Sequence, residues 1–156
     1  MKKIFLIFLF FHFGRAQKEV LFFQTNWGYE GKTSDFIKKA KDSGYDGIEI
    51  WSNTDPSEQK IVADLLKKFG MKVIFLCGSN PSFSFEKSLE DYKNYLQKTL
   101  EQKPLAINSH TGSDFYNYEQ NMAFIRYANR LSKIYNIPIY HETHRGRFSY
   151  SLPETI

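Results

Sequence analysis

Residues 46–77 read DGIEIWSNTDPSEQKIVADLLKKFGMKVIFLC, and this stretch sets the class of the fold. Two short apolar runs, Asp46 to Trp51 and Met71 to Cys77, are near-continuous rather than alternating, as strands read when both faces are covered. Between them, Asp55-Pro56-Ser57-Glu58 opens a helix. The aspartate caps free amides, the proline takes the first helical position where no donor is needed, and Glu58 is placed to reach back as in a capping box. Ile61, Val62, Leu65, Leu66 and Phe69 then recur at helical spacing, and Gly70 ends the segment. Strand, helix and strand joined by short turns make one parallel βαβ unit.

The same pattern repeats on both sides. Upstream, Val20 to Thr25 is an apolar run ending at Asn26-Trp27-Gly28, and a helix from about Ser34 to Gly44 places Phe36, Ile37 and Ala40 on its buried face. Downstream, a helix from about Ser84 to Glu101 turns Leu89, Tyr92, Tyr95, Leu96 and Leu100 inward. Leu105 to Ser109 forms a fourth strand that leads into His110-Thr111-Gly112. A helix over roughly Tyr118 to Tyr135 is expected to bury Met122, Ile125, Ala128, Leu131 and Ile134, and Ile137 to Glu142 is the fifth strand. The expectation is an α/β fold: a partial (β/α)8 barrel of about five parallel strands and four helices. A complete barrel takes about 250 residues, and residues 17–156 number 140. The chain therefore reads as the N-terminal part of a barrel, with residues 151–156 opening a further helix.

Residues 1–16 read as a secretory signal peptide: Lys2 and Lys3 precede the apolar run Ile4 to Phe11, and Gly14-Arg15-Ala16 offers small residues for cleavage after Ala16. An apolar run of roughly ten residues is too short for a membrane span, which needs about twenty. The expectation is an exported protein, periplasmic or secreted, with no stable membrane anchor. Of 21 basic and 17 acidic residues, the leader holds three basic ones, so 18 remain against 17 and the net charge falls from +4 to +1. That balance excludes a nucleic-acid-tracking surface, which needs a clustered basic excess. Cys77 is the single cysteine, so no internal disulfide staples the fold.

In parallel barrels the chemistry sits at the carboxyl ends of the strands. Those ends carry Asn26 and Trp27, then Glu49 and Trp51, then Cys77, then Asn108 and His110, and finally His141, Glu142, His144, Arg145 and Arg147. A carboxylate and two imidazoles within four residues suit a divalent metal. Strand alternation puts His141 on the face opposite Glu142, so the three are not all inward ligands; either Glu142 is the ligand and His144 a pocket group, or the segment is a solvated, hydrogen-bonded loop with His141 packed beneath a helix. Trp27 and Trp51 either stack on a sugar face or pack at strand ends. Asn26, Asn108 and Glu49 either bind hydroxyls or are structural, and Arg145, Arg147 and His144 are placed to hold an anionic group or stay at the surface.

The run IYHETHRGRFSYSLPETI, with DGIEIW and INSHTG at the preceding strand ends, resembles the sugar phosphate isomerase/epimerase family of xylose isomerase-like barrels across most of residues 20–156. The resemblance implies that Glu142 binds a divalent metal such as Mn, Mg, Co or Zn, and that His110 is a catalytic group near metal or substrate. It implies a small carbohydrate substrate, no nucleic-acid partner and a metal-assisted proton or hydride shift beside a sugar carbonyl. The family's remaining ligands come from its sixth to eighth strands, which lie outside this sequence. Alternatives are a non-catalytic half-barrel or carbohydrate-binding module, which can pair as a homo-oligomer, and a phosphodiesterase. His144-Arg145-Gly146 followed by Leu152-Pro153-Glu154-Thr155 is similar to the HRG…PENT opening of glycerophosphodiester phosphodiesterases, but that opening belongs to their first strand and the Asn is missing. Repair-endonuclease relatives want a histidine ending the third strand, where Cys77-Gly78 stands.

Overall fold

The computed structural model describes residues 20–80 and 82–150, so the signal-peptide reading and the helix expected at 151–156 lie outside the described residues. In chain order the elements are β1 (Phe23–Thr25), α1 (Thr33–Asp42), β2 (Gly47–Trp51), α2 (Pro56–Phe69), β3 (Lys72–Gly78), α3 (Phe85–Glu101), β4 (Ala106–His110), α4 (Tyr118–Tyr135) and β5 (Ile139–His141), followed by a 3₁₀ turn at Phe148–Tyr150. The five strands form one sheet in the order β1-β2-β3-β4-β5, every pair parallel. Sequential order with a helix after each of the first four strands is the winding of a barrel wall, and the fold is an α/β partial TIM barrel. Among the described residues no helix is long and apolar enough to cross a membrane.

Alternation along the strands separates two faces. Ile48, Ile50, Val73 and Phe75 pack with Phe36, Ile37, Ala40, Val62 and Leu66 from α1 and α2. Cys77, Ile107 and Ile139 pack with Tyr92, Leu96, Leu100, Phe124, Ala128 and Leu131 from α3 and α4. All four helices therefore cover one face. The opposite face carries the in-register rows Thr25, Glu49, Ile74, Ala106 and Trp51, Leu76, Asn108, Tyr140, with Gly78 and His110 paired above them.

Local chemistry explains the helix ends. Asp55 caps α2 as expected, its Oδ1 accepting the Ser57 amide at 2.8 Å. The Asp55 amide is donated to Asn53 Oδ1 at 2.9 Å, which takes the place that the capping-box reading gave Glu58. The reciprocal box forms instead on α4, where Asn117 Oδ1 accepts the Gln120 amide at 2.9 Å and Gln120 Oε1 accepts the Asn117 amide at 3.0 Å.

That helix is also rotated relative to the expected face. Its buried residues are Asn121, Phe124, Ala128 and Leu131, whereas Met122 and Ile125 are only half-buried and Ile134 is 67% exposed. The rotation has a polar cause: Asn121 bonds the Ser113 backbone in both directions, at 3.0 and 2.9 Å, and fixes the first turn. Phe124 then lies among Phe85, Tyr92 and Tyr116 with ring centroids 6.2, 5.3 and 6.0 Å away. On α2, Ile61 likewise lies outside the core at 43% exposure. In urea denaturation, Phe124→Ala is expected to cost about 3–5 kcal/mol, whereas Ile134→Ala should stay within about 0.5 kcal/mol.

Candidate functional site

The ends of β4 and β5 bring together the groups richest in chemistry. His110 is the last residue of β4 and is 4% exposed. Glu142 follows β5 directly, and its amide donates to the Ser109 carbonyl at 3.0 Å, so the parallel ladder extends to the carboxylate. His110 Nε2 lies 2.5 Å from Glu142 Oε2. Both atoms are buried, and neither has another hydrogen-bond partner among the described residues. An imidazole nitrogen and a carboxylate oxygen are donor types that a divalent cation takes, and this pair brings one of each together. Among the described residues no group of three such side chains exists, so this pair supplies two ligands at most.

Several neighbours hold the pair. Gly78 is the register partner of His110, and a Cβ on it would come within 3.0 Å of the His110 Cβ; glycine makes room for the imidazole. Trp51 meets the His110 ring edge-on at 5.0 Å, so the expected sugar platform is at least partly a wall for the imidazole. His144 lies over the other side, 4.7 Å between ring centres at a 32° tilt. Its Nδ1 is 2.6 Å from the Arg145 carbonyl oxygen, which can only accept; Nδ1 therefore carries the proton and a neutral ring has its lone pair on Nε2. Burial holds His110 below the ordinary histidine value, with Arg147 and His144 adding to the shift and Glu142 opposing it.

Glu49 and Asn108 do meet on the inner face, Asn108 Nδ2 donating to Glu49 Oε1 at 3.2 Å. Arg147 crosses the mouth and donates from Nη1 to the carbonyls of Ser79 (2.9 Å) and Gly112 (3.4 Å), tying the loops after β3 and β4 to the loop after β5. Asn26 and Trp27 stand apart. Trp27, 64% exposed, lines a separate cavity of about 310 Å³ with Thr25, Tyr29 and Tyr45, and the Asn26 carbonyl accepts the Tyr29 amide. Cys77 faces the helices, and burial pushes its thiol up to about 12, which leaves no thiolate for ligation or attack.

Sequence reasoning passed over the groups behind the site. Tyr92 Oη and Ser109 Oγ are 2.8 Å apart, Ser109 Oγ and Thr111 Oγ1 are 2.8 Å apart, and Thr111 Oγ1 is 2.6 Å from His141 Nδ1. His141 thus lies on the face opposite Glu142, as alternation requires, with Phe148 edge-on at 5.9 Å. Ser149 Oγ donates to the Glu142 carbonyl at 2.8 Å. At Gly112, φ is +60° and a Cβ would meet Asn121 Oδ1 at 2.2 Å, so only glycine lets this turn close. The hydroxyl-rich run Ser109 to Ser113 was the available signal.

No protein-family model and no curated protein sequence matches the chain. Solved structures do. A D-tagatose 3-epimerase-like protein aligns with a TM-score of 0.67 at 17% identity over 88% of this chain and 60% of its own. The 3-keto-D-glucoside 4-epimerase of E. coli aligns at 0.61 and 12% identity, over 83% of this chain and 58% of its own. Deoxyribose phosphate aldolase from Aeropyrum pernix gives 0.51 and 16%, over 69% and 43%. At these identities the likeness establishes the fold, and the chain spans about 60% or less of each neighbour's length.

Burial holds His141 as well as His110 below 6.5, so the folded chain resists protons that the unfolded chain accepts. Their stabilising contribution is complete above about pH 6.5 and declines as pH falls below it, by at most about 1.4 kcal/mol per pH unit for each histidine. Urea midpoints between pH 8 and 5 should show this decline, and His141→Gln should flatten it.

Proposed function

We propose that this chain forms the part of a carbohydrate-acting barrel that carries Glu142 as a ligand of a divalent metal, with His110 beside it, and that the reaction is isomerisation or epimerisation next to a sugar carbonyl. The observation that carries the reading is the buried convergence of Glu142 Oε2 and His110 Nε2 at the mouth of a barrel wall. The structural likeness to two proteins named as epimerases or epimerase-like supports it. When bound, a cation such as Mn, Mg, Co or Zn supplies Lewis acidity that polarises neighbouring sugar oxygens.

The chain's own residues would do the rest. Glu49 and Asn108 form a carboxylate–amide pair on the inner face, suited to sugar hydroxyls, and the half-exposed part of Trp51 offers an apolar surface for a sugar face. His144, with Nδ1 turned to the Arg145 carbonyl, directs Nε2 away from that bond toward hydroxyls, while His110, whose charged form burial disfavours, lies beside the carboxylate. The leader read in residues 1–16 would place this activity outside the inner membrane. A second reading, a half-barrel that binds a carbohydrate without turning it over, is favoured by the absence of a third metal-binding side chain among the described residues.

Titration of the full chain with Mn²⁺, followed by electron paramagnetic resonance, tests the metal reading. Glu142→Gln should weaken binding at least about tenfold while the far-ultraviolet circular dichroism stays the same, the scale of loss expected when a ligand goes. Equal affinity in the variant and the parent would remove Glu142 from the metal.

A further inference from the structure

We infer that Arg147 provides a seat for an oxyanion, a carboxylate or phosphate group carried by the substrate, at the rim of the mouth. A guanidinium has five N–H donors. Two belong to Nη1, and that atom is spent on the Ser79 and Gly112 carbonyls. The donors of Nε and Nη2 make no bond among the described residues, and they are the two adjacent groups that form the fork for a planar oxyanion. The side chain is half-buried, yet among the described residues no carboxylate lies within ion-pair distance; Asp114 and Glu142 act on it only from farther off. A charge partly withdrawn from water, bonded to carbonyl dipoles and met by carboxylates only at a distance, is incompletely compensated.

A second feature lies beside it. Ser79 is 7% exposed and its Oγ has no hydrogen-bond partner, although its carbonyl is the nearer anchor of Arg147. The two carbonyl bonds also hold the guanidinium still, so little side-chain freedom is lost when an anion arrives. The assignment rests on the proposed sugar site only in taking the anion to be part of the substrate. It narrows that substrate to an acidic or phosphorylated carbohydrate.

Calorimetric titration of the full chain in EDTA, with inorganic phosphate and with D-gluconate at constant ionic strength set by chloride, tests it apart from metal binding. At least one of the two should bind, and the tighter one names the oxyanion. Arg147→Gln should weaken it at least about tenfold. Arg147→Lys, which keeps the charge and loses the fork, should fall between, and serves if the glutamine variant does not fold. Arg126→Gln on the outer surface of α4 controls for net charge and should leave the affinity unchanged. No binding of either anion, equal binding by the Arg147 variants, or an equal loss in Arg126→Gln would overturn the seat. Intact Mn²⁺ binding in that event would leave the metal reading standing, and anion binding without Mn²⁺ binding would do the reverse.

Discussion

One strand end in this protein must carry polar side chains on both faces of the sheet, and the hydrogen-bonded line from Tyr92 through Ser109 and Thr111 to His141 is what makes that possible. Buried polar groups destabilise a fold unless they are paired. Here the hydroxyls of α3, β4 and the following turn pair with the imidazole of β5 on the helix side. With His141 anchored there, alternation turns Glu142 to the open face. The Glu142 backbone is then held from two directions, by Ser109 through its amide and by Ser149 through its carbonyl.

The rest of the mouth is organised by close approach. Gly78 admits His110, and Gly112 admits Asn121, which in turn sets the rotation of α4 and seats Phe124 in the second core. Arg147 then joins three loops that sequence alone leaves independent. Packing beneath the sheet and geometry above it are therefore one system. The aromatic cluster around Phe124 fixes the helix whose first turn fixes the loop after β4.

Functionally, the inner face divides by height. The row of Thr25, Glu49, Ile74 and Ala106 lies deepest, the row of Trp51, Leu76, Asn108 and Tyr140 above it, and His110 with Glu142 at the rim. The polar side chains Glu49 and Asn108 thus meet between the two lower rows, and the imidazole and carboxylate lie above them along the same wall. Trp27 belongs to a different surface, beyond the edge strand β1, although its position after a strand looks equivalent in the sequence.

The apolar runs and helical spacings of residues 46–77 were enough to determine the α/β class, and their repetition from residue 20 to 142 gave five strands and the order of elements, because burial on both faces of a parallel sheet leaves a continuous apolar signature. Strand-end position made His110 and Glu142 candidates, which the fold brings into contact, and alternation sent His141 to the other side. Tertiary structure alone decided the face of α4, since Asn121 hides a polar anchor inside a helical stripe and its partner Ser113 lies in a preceding loop. It also decided that Trp51 walls His110, that Arg147 spends one nitrogen on backbone and keeps two free, and that three plain hydroxyls form a line. Such roles depend on which atoms meet across β3, β4 and β5, and distances between strands are set by the fold of the whole chain rather than by any local run of residues.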